Sequence, residues 1–182
     1  MGLAVDQIRE DHEFIKKSLG ILQKIFERSE ETAIINTIDL SECIRFNAIF
    51  TGMCHNEKEE TILFKALAIK GDGVVVKEIA SLSAEHRQCG IYIRNLQDLF
   101  PEDPHELISP RFMTGIVGYI NHMESHIEKE SETLFPMVDR YLTISEQETI
   151  RGQFNDYEEY VMEACAGTGI KGNIDYLFRK YS

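Results

Sequence analysis

The 182-residue chain has few prolines and cysteines, four of each, and fewer cations than anions. None of the prolines sits in a Pro- or Ser-rich tract and there is no low-complexity segment. The chain therefore reads as a single domain over residues 1–182 rather than modules on a flexible linker. Cys43, Cys54, Cys89 and Cys165 show no C-x-x-C spacing and no disulfide density, which excludes a disulfide framework and fits reduced thiols in the cytoplasm. Nineteen Lys and Arg face 31 Asp and Glu, giving a net charge of −12 and a pI near 4.9. Such a surface repels phosphate backbones and anionic lipid, so nucleic acid is not an expected partner. No stretch approaches the roughly 18 apolar residues of a membrane span. The opening MGLAVDQIREDHE turns acidic without a basic-then-apolar leader, so no secretory signal is read. Asp6 stands where a myristoylation signal needs Ser or Thr. Alternating β-branched runs are absent apart from Val74-Val75-Val76, which fits a helix start.

What is present is a repeat. HNEKEETILF, beginning at His55, recurs as HIEKESETLF, beginning at His126. His and Glu four residues apart lie on one helix face, one turn above the other. Two copies supply two imidazoles and two carboxylates, most of a two-metal site. A second echo pairs Asp11-His12 with Glu85-His86, each followed by Leu-Gln (Leu22-Gln23, Leu96-Gln97). The chain thus looks internally duplicated.

The spacing predicts four long helices, about 4–28, 40–69, 74–100 and 110–141, then a shorter helix near 146–165 and an amphipathic tail. Breaks are expected at 29–38, Gly71-Asp72-Gly73, Pro101 to Pro104 and Leu142-Thr143-Ile144. Ser109-Pro110 reads as an N-cap with proline at the first helical position, and Asp39…Glu42 and Ser145…Glu148 read as capping boxes. The expected seams are Val5, Ile8, His12, Ile15, Leu19, Leu22 and Phe26; Ala48, Gly52, His55, Glu59, Ile62, Ala66 and Ile69; Val75, Ile79, Leu82, His86, Cys89, Ile93, Leu96 and Phe100; and Phe112, Ile116, Tyr119, Met123, His126, Glu130, Thr133 and Met137. Short connections favour an all-α, antiparallel up-down-up-down four-helix bundle over about 4–141, with a helical extension over about 142–182.

His12, His55, His86 and His126 occupy core positions, one per helix, as do Glu59 and Glu130. Unpaired buried carboxylates cost several kcal/mol apiece, so something must compensate them, and a metal pair does so directly. This donor mixture suits iron better than structural zinc, which prefers a closed, thiolate-rich tetrahedron, or calcium and magnesium, which want oxygen. Glu-x-x-His, the motif of ferritin-like sites, is reversed here and spaced by four, which disfavours a ferroxidase of that type.

These residues resemble the hemerythrin-like (HHE cation-binding) domains. The matching elements are His12, His55-x-x-x-Glu59 followed by Leu63-Phe64, His86, and His126-x-x-x-Glu130 followed by Leu134-Phe135-Pro136. The resemblance implies a four-helix bundle with a non-haem di-iron centre. Its two Fe ions would be bridged by Glu59, Glu130 and an oxo or hydroxo group, with the four histidines as terminal ligands. Oxygen-carrying hemerythrins use five histidines, including a pair on the third helix. Here that helix offers His86 with Cys89 and Gly90 nearby, which argues against oxygen carriage of that kind. His122 is a further candidate, as fifth ligand, as hydrogen-bond donor behind the ligands or as an exposed residue.

Cys54 and Cys89 read as small packing residues, and Tyr119 and Met123 as walls of the pocket, with the Tyr119 hydroxyl a candidate donor to bound oxygen. Glu57, Lys58, Glu128 and Lys129 are expected on solvated faces or behind the ligands. Asp11, Glu13, Glu60 and His105 read as surface. The leading function is binding of O2, NO or iron for sensing, buffering or storage. The alternative is a di-iron enzyme acting on peroxide or NO, or donating iron for iron–sulfur cluster repair. A third reading is an interaction protein in which iron is incidental.

Overall fold

The computed structural model describes residues 3–32, 34–100, 109–164 and 170–182. Among them the architecture is all-helical, a helical bundle without strands. No described helix is long and apolar enough to cross a membrane.

α1 spans Leu3–Thr32. The second long rod, residues 37–70, joins α2 (Thr37–Phe46), the π-helical segments π1 (Asn47–Asn56) and π2 (Glu59–Leu63), and α3 (Phe64–Lys70). α4 covers Gly73–Asp98. The fourth rod, residues 110–141, joins α5 (Pro110–Lys129), π3 (Glu130–Leu134) and α6 (Phe135–Tyr141). α7 (Ile144–Ala164) and α8 (Ile170–Tyr181) form the C-terminal extension. The Pro101–Pro104 break, His105 and Cys165 lie outside the described residues.

Caps fix where the rods begin. Ser109 accepts from the Phe112 amide with Pro110 at the first helical position, as the sequence indicates. Neither expected capping box forms on its expected residues. α2 opens one turn early on Asn36, whose side chain accepts from the Asp39 amide. Asp39 is instead buried, accepting from Lys180 and Tyr181 of α8 at 2.6 Å each. At α7 the reciprocal pair is Thr143 and Glu146, not Ser145 and Glu148.

The seams hold along α1 as far as Leu22, after which Ile25 rather than Phe26 is buried, and along α4 with Ile79 and, just past the helix end, Phe100 half-buried, but slip in the other two rods. The sequence places Ile62, Ala66 and Ile69 inward; Leu63, Phe64 and Leu67 are the buried residues, and Ile69 is 83% exposed. Likewise Leu134, Phe135 and Val138 replace Thr133 and Met137. Both slips follow a π turn starting at the repeated glutamate: Phe64 N–H donates to the Glu59 carbonyl, and Phe135 N–H to that of Glu130. An i→i+5 bond admits one extra residue, and each residue turns a helix face by about 100°, so the buried stripe moves on by one position.

The apolar core consists of two clusters. One holds Ile15, Leu19, Phe46, Phe50, Cys54, Cys89, Tyr119 and Met123 among others. The other holds Val5, Ile8, Leu63, Leu67, Leu82, Leu134, Val138 and Phe154. In three of the four rods the boundary falls at a histidine: His12 between Ile8 and Ile15, His55 between Cys54 and Leu63, His86 between Leu82 and Cys89; in the fourth it falls just past His126, between Ile127 and Leu134. A polar layer therefore crosses the bundle between two greasy halves.

Candidate metal centre

The layer contains six inward side chains, none more than 6% exposed: His12, His55, Glu59, His86, His126 and Glu130. Helical spacing explains their convergence, since His55 with Glu59 and His126 with Glu130 stack one turn apart while α1 and α4 contribute one imidazole each. They form two tetrads, His12–His55–Glu59–Glu130 and Glu59–His86–His126–Glu130, whose facing ligand atoms lie within 4.8 Å of one another. Both glutamates belong to both tetrads.

Individual distances define the cradle. His12 Nε2 lies 2.9 Å from Glu130 Oε2, and His55 Nε2 lies 3.9 Å from Glu59 Oε2. His86 Nε2 is 3.3 Å from Glu59 Oε2, and His126 Nε2 is 3.2 Å from Glu130 Oε1. The Nε2 atoms of His86 and His126 face each other at 3.1 Å. Despite this crowding, both oxygens of Glu59, both of Glu130, and Nε2 of His12 and His55 are buried without an aligned hydrogen bond. Buried polar atoms are rarely left so, and six of them converging on two small volumes fit a pair of cations.

Three imidazoles are held from behind by carboxylates. His86 Nδ1 faces Glu60 at 2.8 Å, His126 Nδ1 faces Glu85 at 2.9 Å, and His55 Nδ1 faces Asp11 at 3.4 Å. A carboxylate there fixes the tautomer, presenting Nε2 inward as a lone pair. Asp11 and Glu60, read from sequence as surface, are thus part of the site; Asp11 is only 4% exposed. Lys58 and Lys129 complete the pattern. Lys58 is fully buried and contacts Asp11 at 2.5 Å, while Lys129 contacts Glu85 at the same distance. Their repetition in the sequence is the signal that could have found Asp11 and Glu85, the acids preceding His12 and His86. Glu57, Glu128 and Glu13 are solvent-exposed, as expected.

The repeated Leu-Phe also has a use. Phe64 stacks on His86 with ring centroids 5.7 Å apart, and Phe135 stacks on His12 at 5.8 Å. His122 belongs to neither tetrad; its Nε2–H donates to the Glu85 backbone carbonyl at 2.9 Å. Tyr119 is buried and its hydroxyl donates to Asn47 Oδ1 at 2.7 Å, which commits that proton away from the layer. Cys43 and Cys89 are buried free thiols, and Cys54 is buried beside His55. Burial pushes the Cys89 thiol up to about 11, so it is protonated and inert at neutral pH.

Charge is tightly balanced in the layer. Burial alone would raise Glu130, yet His126, His12 and His86 hold it well below the usual carboxylate range. Burial likewise depresses imidazolium, but Glu130, Glu59 and Glu60 hold His86 well above its ordinary value. His126 is raised to about 9: burial opposes this, and Glu130 and Glu85 overcome it. For His12 burial prevails and the pKa falls.

Two clefts reach the layer. A space of about 670 Å³ is bordered by His86, Glu60, Asn56, Cys89, Gly90 and Gly52. A smaller one of about 300 Å³ touches His12 and Ser131, the residue that replaces Glu60 in the second copy of the repeat.

Neither a curated protein nor a solved structure matches the chain. A family model does, over residues 3–138, a span that includes all six inward ligand candidates. With that match and this His/Glu cluster, the chain belongs to the hemerythrin HHE cation-binding domain family.

Proposed function

We propose that Glu59 and Glu130 bridge two iron ions, with His12 and His55 terminal on one and His86 and His126 on the other. In this reading the protein is a cytoplasmic, single-domain, antiparallel up-down-up-down bundle that binds O2, NO or iron for sensing, buffering or storage. The observation that carries it is the sharing of both carboxylates by two tetrads that each contain two imidazoles. Iron held by such a donor set would supply redox chemistry and a place for a small ligand to bind. The protein's own part is positioning and packing. Asp11, Glu60 and Glu85 aim the imidazoles inward, and Phe64 and Phe135 cover one ring face of His86 and His12.

A small ligand enters through the larger cleft, beside His86. Cys89 and Gly90 border that cleft, on the helix where oxygen carriers place a second histidine. Among the described residues no fifth imidazole joins the tetrads, which favours sensing or buffering over oxygen carriage.

Metal content and an optical spectrum of the aerobic protein, followed by anaerobic reduction, test this. Two irons per chain and a ferric charge-transfer band that responds to azide and bleaches on reduction are expected. Iron-loaded protein with no such band and no anion response would remove the proposal. Turnover of peroxide or NO faster than free iron would move the assignment to an enzyme.

A further inference from the structure

The family match ends at residue 138, before α7 begins at Ile144. α7 nevertheless reaches the polar layer through Glu158. Its Oε1 contacts the Lys58 ammonium at 2.5 Å, and the same ammonium contacts Asp11 Oδ2 at 2.5 Å. Asp11 Oδ2 is also the atom facing His55 Nδ1. One carboxylate oxygen therefore serves two donors, a lysine and a ligand imidazole. Gln7 Nε2 donates to Asn155 and Glu158, fastening α7 to α1 at this point, and Phe154 lies under the ammonium at 5.3 Å.

The internal duplication provides the control. In the second half Lys129 contacts Glu85 at 2.5 Å and Ser81 at 2.7 Å, with Glu78 at 3.6 Å, all three on α4. With Asp11 aligned on Glu85, the positions matching Ser81 and Glu78 in α1 are Gln7 and Ala4. The first half thus lacks the second acid in cis, and α7 brings Glu158 to the lysine instead. A fully buried ammonium with one acid would draw Asp11 wholly to itself, since an undercompensated buried charge is costly.

We propose that Glu158 is a positioning residue for the metal position bounded by His12 and His55, acting through Lys58 and Asp11. It takes part of the Lys58 hydrogen bonding, which lets Asp11 Oδ2 hold His55 as well as the lysine. The position bounded by His86 and His126 has its own support on α4 and does not depend on α7. This inference rests on the two-metal reading of the site.

Cobalt(II) titration of the full metal-free chain, followed by its visible d–d absorption, tests it in wild type, Glu158→Gln and Glu158→Asp. Wild type is expected to bind two cobalt ions. Glu158→Gln should bind one with unchanged affinity and the other about tenfold or more weakly, the usual cost of losing a group behind a metal ligand. Glu158→Asp should recover part of the loss. Wild-type uptake of fewer than two ions would sink the two-metal reading itself. Two unchanged binding events in Glu158→Gln, or equal weakening of both, would overturn the role of Glu158 alone.

Discussion

At the residue scale, six of the side chains in the polar layer were legible in the sequence: the H-x-x-x-E repeat marks four, His12 and His86 break the apolar seams of the other two helices, and a glutamate on an apolar seam demands compensation. Asp11 and Glu60 were harder to find, Asp11 having the repeated Lys58 and Lys129 as its one signal and Glu60 having none. Each neighbours a seam residue in sequence and points about 100° away from it, a direction that is usually solvent. Here another rod covers that direction, and Asp11 is buried against Lys58 and His55. The glutamates are where substitution is most telling. Replacing Glu130 by Gln removes one carboxylate from both tetrads, so metal uptake is expected to fall at both positions. The variant should still fold without metal, because Gln keeps the side-chain volume. Melting curves with and without iron check this: the rise in Tm that iron gives the wild type should vanish in the variant. Asp11→Asn, which keeps the shape but weakens the hold on His55, is expected to reduce affinity about tenfold without abolishing binding. An equilibrium titration measures that loss.

At the scale of elements, rod number, order and approximate ends were legible from the apolar spacing, and Ser109-Pro110 was legible as a helix start. The π turns were not. A 3.6-residue period carried past Glu59 and Glu130 puts Ile69 and Met137 inside. The single inserted residue exchanges Ala66 for Leu67 and Met137 for Val138, and Ile69 is left in solvent. The caps were displaced for a related reason, because several Ser, Thr, Asn and Asp near a boundary compete and packing decides among them. Asn36→Ala removes the cap that α2 uses and should cost about 1 kcal/mol in chemical denaturation, whereas Ser145→Ala should cost little. Glu146 at the head of α7 gives a pH test. Its pKa is pulled down to about 2, chiefly by Lys70 and then by Thr143. A depressed carboxylate contributes stability that is present above its unfolded pKa, near 4.5, and is lost as the pH falls toward 2. The Tm gap between wild type and Glu146→Gln should therefore be full at pH 7 and close between about pH 4.5 and 2.

At the scale of the whole molecule, the division of the core into two apolar clusters by one charged layer is the organising fact. Two buried carboxylates and four imidazoles make that layer the least comfortable part of the metal-free protein, and cations would relieve it. Binding to the folded state alone stabilises by mass action, so Tm should rise steadily with free metal concentration, read by calorimetry. The extension matters at this scale too: α8 docks through Lys180 and Tyr181 on buried Asp39, and α7 through Glu158 on Lys58. The amphipathic spacing of the tail showed that it would pack, but periodicity within one helix cannot name a partner far away in sequence.

Anomalous X-ray scattering at the iron edge, from crystals of the iron-loaded protein, addresses the assignment most directly. Two peaks are expected, one within bonding reach of His12 and His55 and one within reach of His86 and His126, with Glu59 and Glu130 between them. A single peak, or iron located outside this layer, would contradict a shared-carboxylate pair.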